Sequence, residues 1–575
     1  MKLNSPDVIR YALLVALGIT GYLLVLSWAA DSADAGGREN QEPVAGEIST
    51  PSGDEGVAGD QELVPPLPSG VVDLPDDSMA SPASAKVTHQ DPTLGAVSSD
   101  RMIVVETPLL NVLIDRYGGD VVKTSLLRHA QSLSIPDVPV TLLDRTSHKT
   151  YEAQSGLTGL DRDHDRPLYM STQSRYRLDE GSLEVVLTHR AEGIETVKTF
   201  AFEADQYVIP VSYRVRNLGE EPLHTRLFVQ LKRDASPVES RGAGFFAPRA
   251  YLGAALTTDD SRYEKLSFED VESSNFSAVV TGGWIAILQH YFIAAWVADR
   301  DQRYDYFGRR GADGLYRFGF IGPETVIPSG REGNFSARFY AGPKDQASLR
   351  NISENLNLTV DYGWFWWLSV PMFMVLDLIQ DYVYNWGIAI ILLTVAIKLA
   401  LWPLASTSYR SMAKLRKVTP QMKRIQERYS DDSAKLRQAM MELYQKEKVN
   451  PLQGCLPMLP QMPVFIALYW VLYESVELRH APFFGWIQDL SSHDPFFVLP
   501  ILMGASMFAA QALNPPAPNP MQQRMMRLMP VVFTVILAFF SAGLVLYWLM
   551  NNVLSFAQQW WITRRFEKAD VRPSS

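Results

Sequence analysis

The sequence predicts a multi-domain membrane protein that combines a polytopic bundle of six transmembrane α-helices, a large all-β sandwich outside the membrane and a cytoplasmic helical hairpin. Three observations predict this fold class. Apolar runs of bilayer-spanning length lie near the N-terminus and beyond residue 386, and runs with two-residue alternation fill the stretch 102–340. Positive charges concentrate between two of the apolar runs, as expected for a loop on the cytoplasmic side.

Composition bounds the possible functions. The chain has 575 residues, a formal net charge of −10 and a hydrophobic fraction of 47%. This length allows several domains, and the acidic balance does not indicate a nucleic-acid-binding protein. The single cysteine, Cys455, excludes an intramolecular disulfide and leaves the redox compartment open.

Residues 1–30 are predicted to form a transmembrane anchor. Tyr11–Ala30 carries no charge and would be about 30 Å long as a helix. A cleaved signal peptide is the alternative because small residues follow, but the apolar run is longer than a usual signal-peptide core. Lys2 and Arg10 before the run predict a cytoplasmic N-terminus. Residues 31–100, rich in Asp, Gly, Pro and Ser, are predicted to form a flexible linker.

Residues 101–342 are predicted to form the β-sandwich. Runs such as MIVVETPLLNVLIDRY, TVKTFAFEADQYVIPVSYRVRN and GGWIAILQHYFIAAWVAD are separated by turn pairs such as Gly118-Gly119 and Gly282-Gly283. The histidines of this segment form no metal-binding or catalytic spacing. No metal site, cofactor or reaction is therefore predicted there.

Residues 361–385 are predicted to form an amphipathic helix that lies on the outer leaflet. The aromatic cluster at 364–367 is typical of headgroup depth, and Asp377 and Asp381 lie one turn apart on a polar stripe. A buried helix of a globular domain is the alternative interpretation.

The span predicted for residues 386–405 carries one full charge, Lys398, in its second half. A lysine at depth in a bilayer costs about 2.5–3.5 kcal/mol on insertion-based scales, so it normally faces a bundle interior or a watery cavity and indicates a functional site. Thr394, one turn earlier, shares its face. The alternative is a lysine that reaches the interface with its ammonium and has no further role.

Residues 406–450 hold eleven basic and five acidic residues, which predicts a cytoplasmic loop. Apolar residues at helical spacing predict a hairpin of helices 409–429 and 433–448. Its basic face is either a topology signal that is otherwise solvated or a docking surface for anionic lipid headgroups or ribosomal RNA. The candidate docking residues are Lys414, Arg416, Lys417, Lys423 and Arg424.

Further apolar runs complete the predicted bundle, at 455–476, 496–513, 525–541 and 544–562, before a cytoplasmic tail at 563–575. The last two spans are predicted to join through a tight outer turn at Ser541-Ala542-Gly543, because the apolar run there is too long for one crossing. The charges of the loops predict that both termini are cytoplasmic and that the β-domain is outside.

The C-terminal part of the sequence, about residues 361–566, contains six long motifs in a fixed order: SMAKLRKVTPQMKRIQERYSDD, EKVNPLQGCLPMLPQMPVFIALYWVL, VELRHAPFFGWIQDLS, DPFFVLPILMGASMF, NPMQQRMMRLMPVVFT and SAGLVLYWLMNNVLSFAQQW. With these motifs it resembles the YidC/Oxa/Albino family of membrane protein insertases. The anchor, linker and β-domain further resemble the Gram-negative bacterial YidC form, whose periplasmic domain is similar to sugar-mutarotase sandwiches.

The resemblance implies an insertase of the bacterial inner membrane and not an enzyme. Such proteins integrate and help fold membrane proteins, alone or beside the Sec translocon. Five of the six helices form the family's core and enclose a hydrophilic groove open to the cytoplasm and the lipid. The implied partners are nascent membrane proteins, membrane lipids and, through the hairpin, the ribosome; no cofactor is implied.

The resemblance also implies which residues line the groove. Lys398 stands where the bacterial pattern has arginine. Lysine keeps the positive charge but lacks the planar guanidinium that can form two parallel hydrogen bonds. Ser541-Ala542-Gly543 replaces an expected Pro-Ser-Gly, with no functional consequence. The groove residues predicted with Lys398 are Thr394, Tyr547, Trp548 and Gln511, and those of the helix that contacts substrate are Gln461, Met462 and Phe465.

Two other functional classes remain open from the sequence. A transporter or channel would show repeated halves or several intramembrane charges, and only Lys398 is clearly of that kind. A membrane-anchored periplasmic glycan-binding protein would need a convergent polar site within 102–340.

Overall fold

The computed structural model describes residues 101–146, 148–161, 166–236, 251–429, 432–447, 458–513 and 520–570. The predicted anchor at 1–30, the predicted linker at 31–100 and Cys455 lie outside these residues, as does the end of the predicted tail. Within the described residues, every strand precedes residue 344 and the long helices follow residue 365.

The strands form two large sheets and one small one. Their bounds are β1 (Met102–Glu106), β2 (Leu110–Asp115), β3 (Asp120–Ser132), β4 (Ile135–Arg145), β5 (Thr150–Leu157), β6 (Met170–Ser171), β7 (Arg175–Arg177), β8 (Ser182–Ala191), β9 (Ile194–Glu203), β10 (Val208–Asn217), β11 (Leu223–Thr225), β12 (Leu227–Arg233), β13 (Gly253–Leu256), β14 (Glu264–Leu266), β15 (Phe276–Thr281), β16 (Trp284–Leu288), β17 (Phe292–Val297), β18 (Arg303–Arg310), β19 (Tyr316–Ile321), β20 (Thr325–Ile327) and β21 (Glu332–Pro343). One sheet has ten strands in the order β15-β18-β19-β12-β5-β4-β3-β2-β1-β7, and the other has nine in the order β14-β13-β16-β17-β21-β10-β9-β8-β6. β11 and β20 pair separately. Neighbouring strands are antiparallel except β1 and β7.

The all-β sandwich predicted for this part of the chain is confirmed. Along β10, Ile209, Val211, Tyr213 and Val215 point inward while the residues between them are exposed. Their side chains share one hydrophobic core with residues of the ten-stranded sheet. Alternation of this kind is what a sheet with one covered and one solvated face requires.

β16 and β17 differ from the alternation predicted for this run. Every residue of both strands is buried. Residues on one face, such as Ile285 and Trp296, join the sandwich core, while Trp284 and Ala295 pack on the opposite face with residues of the helical region. The strands are continuously apolar because both of their faces are covered.

Ten α-helices occur within the described residues. They are α1 (Phe268–Ser273), α2 (Gln346–Ile352), α3 (Trp366–Val383), α4 (Trp386–Ala400), α5 (Trp402–Arg428), α6 (Ser433–Lys446), α7 (Met458–Glu474), α8 (Val498–Ala512), α9 (Pro520–Leu537) and α10 (Ala542–Asp570). α10 packs along α8, α4 and α5, and α3 packs against α4 and α7. Within the described ranges no single helix is both long and apolar enough to cross a membrane, although α4 and α5 together, bent by 68°, satisfy both criteria.

The bend corrects the prediction of one span over 386–405 and of a hairpin arm that starts at 409. α4 ends at Ala400 and α5 starts at Trp402, so the hairpin arm begins seven residues earlier than predicted. Pro403 is the cause, because it has no N–H to donate to the carbonyl four residues earlier and its ring clashes with that carbonyl. The Leu401 N–H still donates to the Ile397 carbonyl oxygen at 3.0 Å, which closes the last turn of α4.

The end of the chain also differs from prediction. α9 ends at Leu537, short of the predicted 541, and α10 continues beyond the predicted limit of 562 into the predicted tail. Between Gly543 and Pro573 the sequence contains neither glycine nor proline, so nothing interrupts the helix at the membrane boundary.

A compact loop, residues 476–495, joins the starts of α4, α8 and α10. The first N–H groups of α10 donate to this loop, from Ala542 to the Ser492 oxygen at 2.7 Å and from Gly543 to the Leu490 oxygen at 2.9 Å. Asp494 accepts from the Leu499 N–H at 2.7 Å in the first turn of α8. Asn385, which caps α4, donates from its side chain to the Phe483 oxygen at 3.1 Å.

The β-sandwich is attached to the helices by buried polar contacts. Lys344, just after β21, donates to Glu474 at the end of α7 at 2.7 Å, and their side chains are only 4% and 8% exposed. His290 is paired with the Tyr473 oxygen at 2.8 Å, and Arg479 donates to the Ala130 oxygen at 2.7 Å. Burial lowers the pKa of His290 to about 3, so the ring is neutral at physiological pH.

Replacement of Lys344 by Met is expected to reduce the free energy of unfolding by about 3–5 kcal/mol, because Glu474 would remain buried without its ion-pair partner. Thermal unfolding of the detergent-purified protein measures the effect. Lys265→Met is a matched control: its ion pair with Asp361 lies at the same junction but both side chains are 37% exposed, so a loss of about 0–1 kcal/mol is expected. Equal losses in the two variants would contradict a strong role for the buried pair.

Candidate functional site

Lys398 lies in the second half of α4 with its ammonium turned into the bundle. The ammonium donates to the Ser555 hydroxyl of α10 at 2.7 Å and to the Gln461 side-chain oxygen of α7 at 3.4 Å. The sequence alone did not exclude a lysine whose ammonium reaches the membrane interface and has no further role. These contacts instead join three helices through a single cation.

The partners of Lys398 belong to a wider polar network. The Gln461 side-chain amide donates to the Tyr547 hydroxyl at 3.0 Å and to the Asn551 side-chain oxygen at 2.9 Å. Ser555 donates to the Asn551 backbone oxygen at 2.7 Å. The network therefore runs down one side of α10 and ends at the ammonium.

Helix geometry explains why these α10 residues meet. Tyr547, Asn551 and Ser555 are spaced four residues apart, which puts all three on one face of a helix. Sequence reasoning identified Tyr547 but missed Asn551 and Ser555. The missed signal is a series of polar residues at every fourth position of α10.

The charge of Lys398 has no described counter-charge. Among the described residues, its hydrogen-bond partners are the neutral Ser555 and Gln461, and no described carboxylate forms an ion pair with it. Neutral donors and acceptors hold an ammonium in place without cancelling its charge. The site therefore offers an uncompensated positive charge to an incoming anionic group.

Packing around the site loosens along the helices. Gly387, Ala389 and Ile390 near the start of α4 are buried, as are the residues from Ala542 to Tyr547 at the start of α10, whereas every side chain at 395–400 and 548–557 is partly or fully exposed. Lys398 and Ser555 lie about 18 Å and about 20 Å from these starts. Lys398 and Ser555 therefore lie at a similar depth in the bundle, where the packing begins to open towards the hairpin.

Two pockets border Lys398. The smaller, of about 20 Å³, has room for about one water molecule. It is lined by Lys398, Leu401, Leu404, Ala405, Tyr409, Pro460 and Gln461. The larger, of about 290 Å³, lies between α4 and α10.

Phe465 and Trp548 extend the site as an aromatic cluster. Their rings meet edge to face with centroids 4.4 Å apart, and Phe465 stacks on Tyr547 with centroids 6.4 Å apart. Met462, on the same helix as Phe465, is 52% exposed. Gln461, Phe465, Tyr547 and Trp548 are thus brought together near Lys398.

Thr394 and Gln511 take other partners. The buried Thr394 hydroxyl donates to the Ile390 oxygen of its own helix at 2.7 Å. The Gln511 side-chain amide donates to the Met526 oxygen and so connects α8 to α9. Neither side chain is hydrogen-bonded to the Lys398 network within the described part of the chain.

The hairpin of α5 and α6 separates its apolar and basic residues. Val418 and Met422 of α5 pack against Leu443 of α6 in a small buried cluster. The five predicted docking residues are all exposed: Lys414, Arg416, Lys417, Lys423 and Arg424.

Comparison with known proteins identifies the family. The model of the 60Kd inner membrane protein family matches residues 378–569, and that of the YidC periplasmic domain matches residues 102–375. The chain is 46% identical to the membrane protein insertase YidC of Hahella chejuensis over 98% of this chain and 99% of that one. It is 46% identical to the protein of that name from Azotobacter vinelandii, again over 98% and 99%. The chain belongs to the YidC family of membrane protein insertases.

Membership of the YidC family confirms the resemblance read from the motifs and the predicted fold class, with its periplasmic sandwich and helical region. The chain is a membrane protein insertase, a function that is not enzymatic. The family description places it in the inner membrane, and its substrates are nascent membrane proteins.

Two solved structures resemble parts of the chain. An active YidC insertase with its first transmembrane domain resolved is 17% identical, covers 80% of this chain and 92% of that one, and has a TM-score of 0.36. A galactose mutarotase related enzyme from Lactobacillus acidophilus is 8% identical, covers 42% of this chain and 97% of that one, and has a TM-score of 0.29. The assignment to the YidC family rests on the sequence relatives.

Replacement of Gln461 by Leu is expected to lower the free energy of unfolding by about 2 kcal/mol, because the side chain makes three interhelical hydrogen bonds and each is worth about 0.6 kcal/mol in a membrane. Ser555→Ala, which removes one interhelical bond, should lose about a third as much. Thermal unfolding in detergent provides the measurement. Gln438→Leu, at an exposed hairpin position, is the control and should be near neutral; a Gln461 effect no larger than that would contradict a joining role.

Proposed function

We propose that this YidC-family chain integrates nascent inner-membrane proteins by holding the hydrophilic part of a substrate near Lys398 while the apolar part moves into lipid. The supporting observation is the ammonium itself, which is placed among neutral partners where packing between α4 and α10 loosens. In this proposal Lys398, Gln461, Tyr547 and Ser555 line the hydrophilic groove, which is open to the cytoplasm.

The proposed insertion requires no external source of free energy. A substrate helix of about 20 apolar residues gains free energy when it leaves water, by about 25 cal/mol for each Å² of apolar surface buried. The obstacle is the polar, often acidic segment that must cross the hydrocarbon layer. A binding site with one positive charge and several hydroxyl and amide groups replaces part of the water lost by that segment. It thereby lowers the free-energy barrier to crossing.

The strength of the contact is limited by its surroundings. A substrate carboxylate would compete with Ser555 and Gln461 for the ammonium, so it exchanges one set of hydrogen bonds for another. A permanent counter-charge would occupy Lys398, and a rigid bidentate partner would hold substrate too tightly to release it. Lysine presents a point charge on a flexible stem, which suits a transient contact.

α7 is the proposed face for the apolar part of the substrate. Met462 is exposed there and Phe465 lies one turn from it beside Trp548. Flexible and aromatic side chains accept varied apolar partners. Thr394 and Gln511 are proposed to support the groove through the helices they stabilise, since each donates to a backbone oxygen.

The hairpin is proposed to lie in the cytoplasm and to contact the ribosome or anionic lipid headgroups. Its five exposed cations support this, as does the positive-inside rule. With the hairpin inside, α4 and α10 start on the periplasmic side, and both termini are proposed to be cytoplasmic. The family resemblance supports insertion by this protein alone and also together with the Sec translocon.

Lys398→Ala is expected to reduce insertion of a substrate with an acidic outer segment about tenfold, which corresponds to the loss of one charge-assisted hydrogen bond of about 1.5 kcal/mol. Lys398→Arg should stay close to wild type and Lys398→Glu should be worse than alanine. Protease protection in reconstituted vesicles, with and without the Sec translocon, measures insertion. A substrate whose outer segment is neutral is the matched control. Wild-type insertion of the acidic substrate by Lys398→Ala would exclude the pairing role and leave only hydration of the groove.

Reversal of two hairpin charges, Lys423→Glu with Arg424→Glu, should weaken ribosome binding and make the slope of log affinity against log salt shallower by about 2. Co-sedimentation with ribosomes at several salt concentrations measures this slope. Lys435→Glu with Arg437→Glu makes the same change of net charge on the other hairpin arm and serves as the control. If both pairs reduce binding equally, the basic residues of α5 act only through net charge.

A further inference from the structure

The larger pocket beside Lys398 shares only that residue with the polar network. It has a volume of about 290 Å³, at the lower end of the range for ligand-binding pockets, which is about 300–1,000 Å³. It is lined by Val395, Lys398, Leu399, Trp402, Leu554, Ala557, Gln558 and Trp561. Its walls are therefore the second half of α4, the start of α5 and one face of α10.

The pocket ends in aromatic and basic residues. Trp402 and Trp561 meet edge to face with ring centroids 5.8 Å apart, and they are 37% and 41% exposed. The Arg565 guanidinium lies 4.1 Å from the Trp561 ring centroid. Tryptophan and arginine side by side are typical of the boundary between hydrocarbon and cytoplasmic headgroups. The pocket accordingly extends from the acyl-chain region to the headgroup level.

The inner wall of the pocket is mostly apolar and consists of Val395, Leu399, Leu554 and Ala557. Gln558 also borders the pocket, but its side chain is only 5% exposed and its amide nitrogen is enclosed by the protein. A wall with so little accessible polar surface favours an apolar occupant over a hydrophilic one.

We propose that this pocket holds one phospholipid of the cytoplasmic leaflet. An acyl chain lies along the apolar wall and the phosphate lies beside Arg565. An amphiphile with an apolar chain and an anionic head matches the order of side chains along the pocket. A bound lipid covers Lys398 on the side between α4 and α10, so hydrophilic substrate would approach the ammonium only from the side of α7.

The test uses the full-length protein in nanodiscs that contain phosphatidylglycerol with a diazirine in its acyl chain. After illumination, mass spectrometry is expected to locate labelled residues at 395–402 and 554–561 above the level on other lipid-facing surfaces. Ala557→Trp fills the pocket and should reduce this labelling at least about fivefold. Ala509→Trp, at an exposed alanine of α8, is the matched control and should leave it unchanged.

Native mass spectrometry of the same variants provides a second readout, because a specific lipid remains bound when surrounding lipids are removed. The wild type and Ala509→Trp should retain one more phosphatidylglycerol than Ala557→Trp. Equal labelling of all variants, or uniform labelling around the bundle, would mean ordinary surrounding lipid and overturn the proposal. So would a photo-crosslinker at Leu554 that captures a nascent substrate in place of lipid. The labelling requires no substrate, so its outcome is independent of the insertion assay.

Discussion

The positive charge of Lys398, held inside the bundle by neutral partners, is the constraint on which the helical region depends. An ammonium in an apolar environment is costly unless its donors are satisfied. Ser555 and Gln461 supply acceptors from two other helices. Because the partners are a hydroxyl and an amide, the site keeps its charge while its hydrogen bonds are met. The same arrangement joins α4, α7 and α10, and in the proposed function it is where a substrate's carboxylate binds.

The remaining structure closes one end of this site. At that end, the loop 476–495 supplies acceptors for the first turn of α10 and Asp494 caps α8. Apolar residues fill the first halves of α4 and α10. The ion pair of Lys344 with Glu474 attaches the sandwich to the same end. Side chains at 395–400 and 548–557 are less covered, which supports the proposed approach of water and polar chain from the hairpin side.

Several features followed from sequence pattern and others did not. The β-sandwich and the importance of Lys398 follow from period-two alternation and from the cost of a charge within an apolar run. The bend at Leu401 was missed although Pro403 is a local signal, because the apolar run continues past it to Ala405. Asn551 and Ser555 were missed because each is unremarkable alone, and only their spacing from Tyr547 shows that they share a face. The direction of the Thr394 hydroxyl, which bonds to its own helix, cannot be read from spacing.

The sequence by itself determined the succession of a β-domain, apolar helices and a basic hairpin, since hydrophobic period and charge are properties of neighbouring residues. It also determined that a cation lies within an apolar helix. Only the tertiary structure decided which groups meet that cation, because Gln461 and Ser555 are 63 and 157 residues away along the chain. It likewise decided that β16 and β17 are covered on both faces and that Gln558 lies against a pocket between α4 and α10. Such contacts depend on how distant segments pack, which no local pattern records.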